Sequence, residues 1–151
     1  SYFPLGYFFN FFKIILLKNI FSLGNNNKIQ KNVYIGSGKN ISIGNNCQIN
    51  ENVKLDNVKV GNNVMIAPGV TILGKMHKYD DLNIPMISQG ECEVKQSIVG
   101  NNVWIGTNAI IMPGVKIANG VIIGAGAVVT KDCKKNGIYG GVPSKLIKKR
   151  A

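Results

Sequence analysis

The chain has 151 residues, 45% hydrophobic and 17% charged, a length that suits one domain with its own core. Eighteen Lys and Arg against seven Asp and Glu leave a formal charge of +11, which points to an anionic partner or, more plainly, to solubility. One His excludes sites needing several histidines from one chain, and Cys47, Cys92 and Cys133 show neither metal spacing nor even pairing, which fits a reduced, cytoplasmic setting.

In chain order, residues 1–25 form a hydrophobic arm, expected to be helical. Its Phe, Ile and Leu run is broken by Asn10, Lys13, Lys18 and Asn19, against the ~20 mostly apolar residues of a membrane-spanning helix. No small-residue cleavage site follows it. A packing arm and a membrane-surface helix, giving peripheral membrane contact, both fit.

Residues 26–135 carry an internal repeat. Aliphatic residues recur every six positions, as in Ile43, Ile49, Leu55, then Val60, Ile66, Ile72, then Val99, Ile105, Ile111, Ile117, Ile123, Val129. Four residues after each stands a small apolar one, such as Cys47, Val53, Val64, Val103, Ala109 or Ala127. Strand side chains alternate, so both positions point into one core. Asn-Asn, Pro-Gly and Asn-Gly pairs between them are turn formers. Short strand, turn, short strand is a β-solenoid pattern. Three hexads make one triangular coil, and about five coils give a prism roughly 24 Å tall at ~4.8 Å per strand. The outward residues sort into columns: Gln48, Met65, Trp104 and Ile122; Lys54, Thr71, Ile110 and Val128; Lys59 and Lys116. The first two are apolar enough to predict an oligomer.

The hexads at Ile43–Gln48, Val99–Trp104 and Ile123–Val128 resemble those of the hexapeptide-repeat acyltransferases. The VWIG, IMPGV, GAGAVVTKD and GGVPSK segments resemble the sugar and xenobiotic O-acetyltransferase branch. The resemblance implies a left-handed parallel β-helix, a homotrimer, acetyl-CoA as co-substrate and a sugar acceptor. Handedness rests on the resemblance alone, because parallel crossovers are ordinarily right-handed.

The period breaks between Ile72 and Val99, so residues 74–97 leave the prism as an excursion loop. Loops this long in a compact domain are usually functional or disordered. This one holds His77 and the acids Asp80, Asp81, Glu91 and Glu93. The resembling enzymes carry their catalytic His at the start of this loop. A sugar hydroxyl attacks a thioester poorly, and an imidazole can take its proton, help typically worth about 10²–10⁴-fold. His77 is therefore the expected general base. Asp80 or Asp81 could orient it, and a solvated acidic tip explains both equally. Cys47 and Cys133 sit in the inward register and read as core. Cys92 has no second His to activate it.

For the donor, the resemblance assigns backbone contacts to Thr107 and Ala125, one coil apart. It assigns the CoA phosphates and adenine to Thr130, Lys131, Lys145 and Lys148. The basic residues 136–151 otherwise read as a solvated tail. An oxyanion donor is placed at the wall near Gly106. Trp104 fits either the site or subunit packing. Asn50 and Asp56 loosely match acceptor-binding positions, and Asp80 joins them as an acceptor candidate; the coil at Asp56 is one residue short.

The expected function is acetyl transfer from acetyl-CoA to a sugar hydroxyl of a bacterial surface glycan or its precursor. N-acetylation of an amino sugar, or of an antibiotic, uses the same parts. A membrane-docking scaffold is the non-catalytic alternative. No metal is expected, since a zinc enzyme of this shape needs three His ligands. No element for reading nucleic acid is present.

Overall fold

A computed structural model describes Leu17, residues 21–38 and residues 40–150. The arm reading falls almost wholly outside these residues. Only Leu17, packed partly buried on the core, and the residues from Phe21 onward are described.

The hexads do form a three-sided parallel β-solenoid. Sheet A holds β1 (Ser22–Leu23), β4 (Ser42–Ile43), β7 (Val58–Val60), β10 (Ser97–Val99) and β13 (Lys116–Ile117). Sheet B holds β2 (Lys28–Ile29), β5 (Gln48–Ile49), β8 (Met65–Ile66), β11 (Trp104–Ile105) and β14 (Ile122–Ile123), topped by β16 (Gly137–Gly140) and β17 (Lys145–Lys149). Sheet C holds β3 (Tyr34–Ile35), β6 (Lys54–Leu55), β9 (Thr71–Ile72), β12 (Ile110–Ile111) and β15 (Val128–Val129). Five full coils result, and β16 begins a sixth.

Each coil sends its aliphatic and small positions inward. Ile49, Leu55, Ile66, Ile105, Ile111 and Ile123 are fully buried, with Val53, Val64, Ala109 and Ala127 between them. Full burial of an Ile or Val contributes roughly 1.5–3 kcal/mol. Cys47 and Cys133 are buried in the same register.

The corner between sheets A and B explains the Asn pairs. The N–H groups of Asn45, Asn62 and Asn101 donate to the Oδ1 of Asn62, Asn101 and Asn119 one coil above, at 2.7, 2.8 and 2.7 Å. The second Asn of the pairs, at 46, 63 and 102, takes the left-handed conformation with φ of 57, 57 and 54°, which Asn tolerates better than most residues.

Coil lengths are uneven. Residues 23 and 43 pair across twenty positions, and 43 and 60 across seventeen. The long first coil places Ser37 and Gly38 at the corner between sheets C and A; the short second coil turns there at Asn57, with φ 47°.

Two boundaries differ from the sequence expectation. The excursion ends at Gln96, because Ser97 is buried on β10 opposite Val58. The C-terminal segment is no solvated tail: β16 pairs parallel to β14, and β17 folds back antiparallel on β16. Tyr139 caps the core, with its hydroxyl oxygen accepting the Lys134 N–H at 2.7 Å. Among the described residues no helix is long and apolar enough to cross a membrane.

Candidate active site

The excursion leaves sheet C after β9 and returns into sheet A, so it springs from the C–A corner. Its arms pair: Cys92 N–H donates to Met76 O at 2.8 Å, Lys78 N–H to Gly90 O at 3.0 Å, and Lys95 N–H to Gly74 O at 2.9 Å. His77 and Glu91 face each other in this antiparallel ladder. The tip is a single 3₁₀ turn, Met86–Ser88. Gln89 Nε2 donates to the carbonyls of Asp81 and Ile84, both at 2.7 Å, and Asp81 Oδ1 accepts the Asn83 N–H at 2.9 Å. Leu82 and Ile87 near that tip are 97% and 91% exposed.

His77 lies exposed on the outgoing arm, five residues beyond β9. The side chain across from it is neither Asp80 nor Asp81. Asp81 holds the tip, and among the described residues no hydrogen bond or ion pair joins Asp80 to His77. Glu91 stands opposite and forms an ion pair with Lys75. That Lys75 hydrogen bond holds the Glu91 carboxyl below the usual carboxylate range, and the charges of Lys75 and His77 add to it. Neither Lys75 nor Glu91 belongs to a motif or a spacing that marks it in the sequence. The signal that could have found them is the hairpin register, in which 76 and 92, 77 and 91, and 78 and 90 share one sum.

Asp56 lies at the same corner, in a cleft of about 260 Å³ shared with Tyr34, Ser37, Asn40, Lys75 and Val94. Its carboxylate fits between two glycines. A Cβ on Gly36 would lie 2.8 Å from Asp56 Oδ1, and one on Gly74 2.6 Å from Oδ2. Asn50 is elsewhere, at the corner between sheets B and C. Its amide is committed: Nδ2 donates to Ile66 O at 2.9 Å, and Oδ1 accepts from Gln30 and Gln48, each at 3.1 Å. The pairing of Asn50 with Asp56 as one acceptor pocket therefore does not form within the chain.

Thr107 and Ala125 do stack as expected, at the B–C corner. Gly126 N–H donates to Thr107 O at 2.8 Å, which fixes their relation. Among the described residues the N–H groups of Thr107 and Ala125 have no acceptor. They are two donors one coil apart on an exposed wall. The Gly106 N–H is not available, because it donates to Ile123 O at 2.8 Å within the ladder. Gly106 instead lets the coils approach: a Cβ there would lie 2.6 Å from Ala125 N.

Trp104 is 47% exposed on sheet B, in register with Met65 below and Ile122 above. Lys145 and Lys148 are exposed on β17, at the top of sheet B. Thr130 and Lys131 follow β15 at the C–A corner, one face away from Ala125. From Ser97 to Arg150 the chain has seven Lys and one Arg against Asp132 alone, and Asp132 Oδ1 accepts the Lys116 N–H at 2.8 Å. The upper half of the prism is therefore strongly cationic. Burial raises the Cys47 thiol and pushes Cys133 up to about 12, so both are inert as nucleophiles near neutral pH. Among the described residues no group of three or more His, Cys, Asp and Glu could hold a metal ion.

Residues 40–74 and 96–131 match the family described as bacterial transferase hexapeptide (six repeats). The chain is 38% identical over 137 residues to the galactoside O-acetyltransferase of Escherichia coli (strain K12), covering 88% of this chain and 66% of that protein. The chain thus spans just under two thirds of that relative's length. The structure of a maltose O-acetyltransferase from Clostridium difficile 630 superposes with a TM-score of 0.83 at 35% identity, covering 91% of this chain and 74% of that one. A galactoside acetyltransferase in complex with coenzyme A superposes with a TM-score of 0.79 at 37% identity, covering 89% and 68%. Repeat, prism and relatives agree, and the chain belongs to the hexapeptide-repeat acyltransferase family.

Proposed function

We propose that the protein transfers an acetyl group from acetyl-CoA to a sugar hydroxyl, with His77 as general base. The observation that carries the reading is the pair of N–H groups of Thr107 and Ala125, without an acceptor among the described residues and stacked one coil apart on an exposed wall. Such a wall suits the amide-bearing pantetheine arm of CoA. The cations above it, Lys145 and Lys148 among them, suit its phosphates. The relative solved with coenzyme A supports the same ligand.

The reaction needs no covalent acyl-enzyme. The acceptor oxygen attacks the thioester carbonyl while the His77 imidazole takes the hydroxyl proton. The tetrahedral intermediate then expels the CoA sulfur, which receives that proton from the imidazolium. A C–O bond forms, a C–S bond breaks, and the imidazole is restored.

His77 springs from the C–A corner, whereas Thr107 and Ala125 stand at the B–C corner, one prism face away. One chain therefore does not bring base and donor wall together. A homotrimer does so when the C–A corner of one chain faces the B–C corner of the next. The exposed Met65, at 49%, and Trp104 support burial between chains. Asp56 and its cleft beside Lys75 are the proposed subsite for the acceptor, a sugar of a bacterial surface glycan or its precursor. N-acetylation of an amino sugar uses the same geometry.

Thiol release from acetyl-CoA, measured across a panel of neutral and amino sugars, tests this reading. Release that depends on a sugar, with the O-acetyl group located by NMR, is expected. Acetylation only of amino groups would replace the hydroxyl assignment, and no release with any sugar would overturn the reading. Sedimentation should give three times the 16.4 kDa chain mass, and a monomer at micromolar concentration would contradict the shared site.

A further inference from the structure

We infer that Glu91 positions the His77 imidazole, and that Lys75 anchors Glu91 for that task. The inference rests on His77 as general base and adds the group that orients it.

The geometry comes from the excursion hairpin. Hydrogen bonds from Lys78 N–H to Gly90 O and from Cys92 N–H to Met76 O flank the His77–Glu91 bridge. Those bonds define a non-hydrogen-bonded antiparallel pair, the kind in which facing side chains are closest, with Cα atoms about 4.5 Å apart. Both side chains therefore leave one face of the hairpin together. Lys75 precedes His77 by two residues, so it shares that face. It sits diagonal to Glu91, within reach of a long side chain.

The observed ion pair uses one carboxylate oxygen only. Lys75 Nζ meets Glu91 Oε2, while Oε1 has no partner among the described residues. A carboxylate accepts at both oxygens, so Oε1 is available to an imidazole N–H. The Lys75 ion pair restricts the carboxylate on the other side.

The chemical consequence follows from the two nitrogens of imidazole. A base must present an unprotonated nitrogen to the acceptor hydroxyl, which requires its proton on the other one. A carboxylate accepting from that second nitrogen fixes the tautomer and stabilises the imidazolium formed on proton transfer. Glu91 is the one acid that the ladder sets against His77. Asp81 is bound into the tip, and Glu93 lies two positions further along the return arm.

One His per chain makes the test direct. In protein labelled with ¹⁵N-histidine, the two ring-nitrogen shifts of the neutral imidazole report the tautomer ratio. The wild type should show one dominant tautomer, and Glu91→Gln should shift the ratio toward a mixture. The control Glu93→Gln removes the same charge nearby and should leave the ratio as in the wild type. In turnover, Glu91→Gln should lower kcat about tenfold or more, with KM for acetyl-CoA within about twofold. Glu91→Asp, which keeps the carboxylate, should recover part of that loss. An unchanged tautomer ratio in Glu91→Gln, or equal shifts in both Gln variants, would overturn the inference. The NMR measurement needs no turnover. It therefore separates failure of the Glu91 role from failure of His77 as base, which would show as full activity in His77→Ala.

Discussion

Gly106→Ala tests the claim that the proposed donor wall is formed by two coils in close approach. A Cβ built at Gly106 would meet Ala125 N at 2.6 Å, Gly124 C at 2.9 Å and Ile123 O at 2.9 Å. All three are backbone atoms, so no side chain can swing away. Ordinary contact begins near 3.4 Å, so the coils must part by about 0.8 Å. That stretches the 2.8 Å bond from Gly106 N–H to Ile123 O to about 3.6 Å, beyond hydrogen-bond range. Overpacking costs about 1–3 kcal/mol and the lost bond about 0.5–1.5 kcal/mol. Reduced freedom of the unfolded chain offsets about 0.4–1 kcal/mol. The expected net loss is about 2 kcal/mol, within a range of about 0.5–4 kcal/mol. Gly124→Ala is the matched control one coil above, where the nearest atom is Tyr139 O at 3.3 Å, and it should change stability by less than about 1 kcal/mol. Urea midpoints at one fixed protein concentration read both variants, since any oligomer makes the midpoint concentration-dependent. Because Thr107 and Ala125 shift with the coils, KM for acetyl-CoA should rise in Gly106→Ala and not in Gly124→Ala. Equal midpoints for the two variants would refute the close-approach reasoning.

Three further outcomes are expected. Of the three cysteines only Cys92 should react with a thiol reagent at pH 8 in the folded protein, with all three reacting in denaturant; Cys47 and Cys133 are buried with raised pKa values. Cys133 is raised from 9.0 to about 12, so its thiol favours the fold fully below pH 9 and loses that contribution as pH climbs toward 12; replacing it with Ala should flatten the alkaline decline of the urea midpoint. The double variant Lys145→Ala/Lys148→Ala should raise KM for acetyl-CoA about tenfold or more and hold kcat within about twofold, read by steady-state thiol release.

The prism was legible because its core obeys one rule. Every coil needs inward side chains at two positions of the hexad, and Ile105, Ala109 and Ile111 show that rule as plainly in the sequence as in the structure. The excursion was legible only as a gap, since the period says where the chain leaves and not how it folds outside. The pairing of His77 with Glu91 therefore escaped the sequence reading. Their hairpin has no apolar alternation to set a register, and both residues are exposed. The return at Ser97 was missed for a related reason: a polar residue fills an inward site, its hydroxyl donating to Met112 O at 3.3 Å. The closing hairpin was hidden too. All five residues of β17 are exposed, so burial left no pattern, and Tyr139 takes a position that lower coils give to an aliphatic residue. The resemblance matches Asn50 and Asp56 to acceptor-binding positions, and six residues separate them. In a triangular coil six residues is one whole face.

The most direct test of the account is the turnover of His77→Ala with acetyl-CoA and the best sugar acceptor. The account predicts that kcat/KM falls by about 10²–10⁴-fold, with the urea midpoint unmoved, because the side chain is exposed on the excursion. Thiol release at the wild-type rate from the folded variant would contradict it.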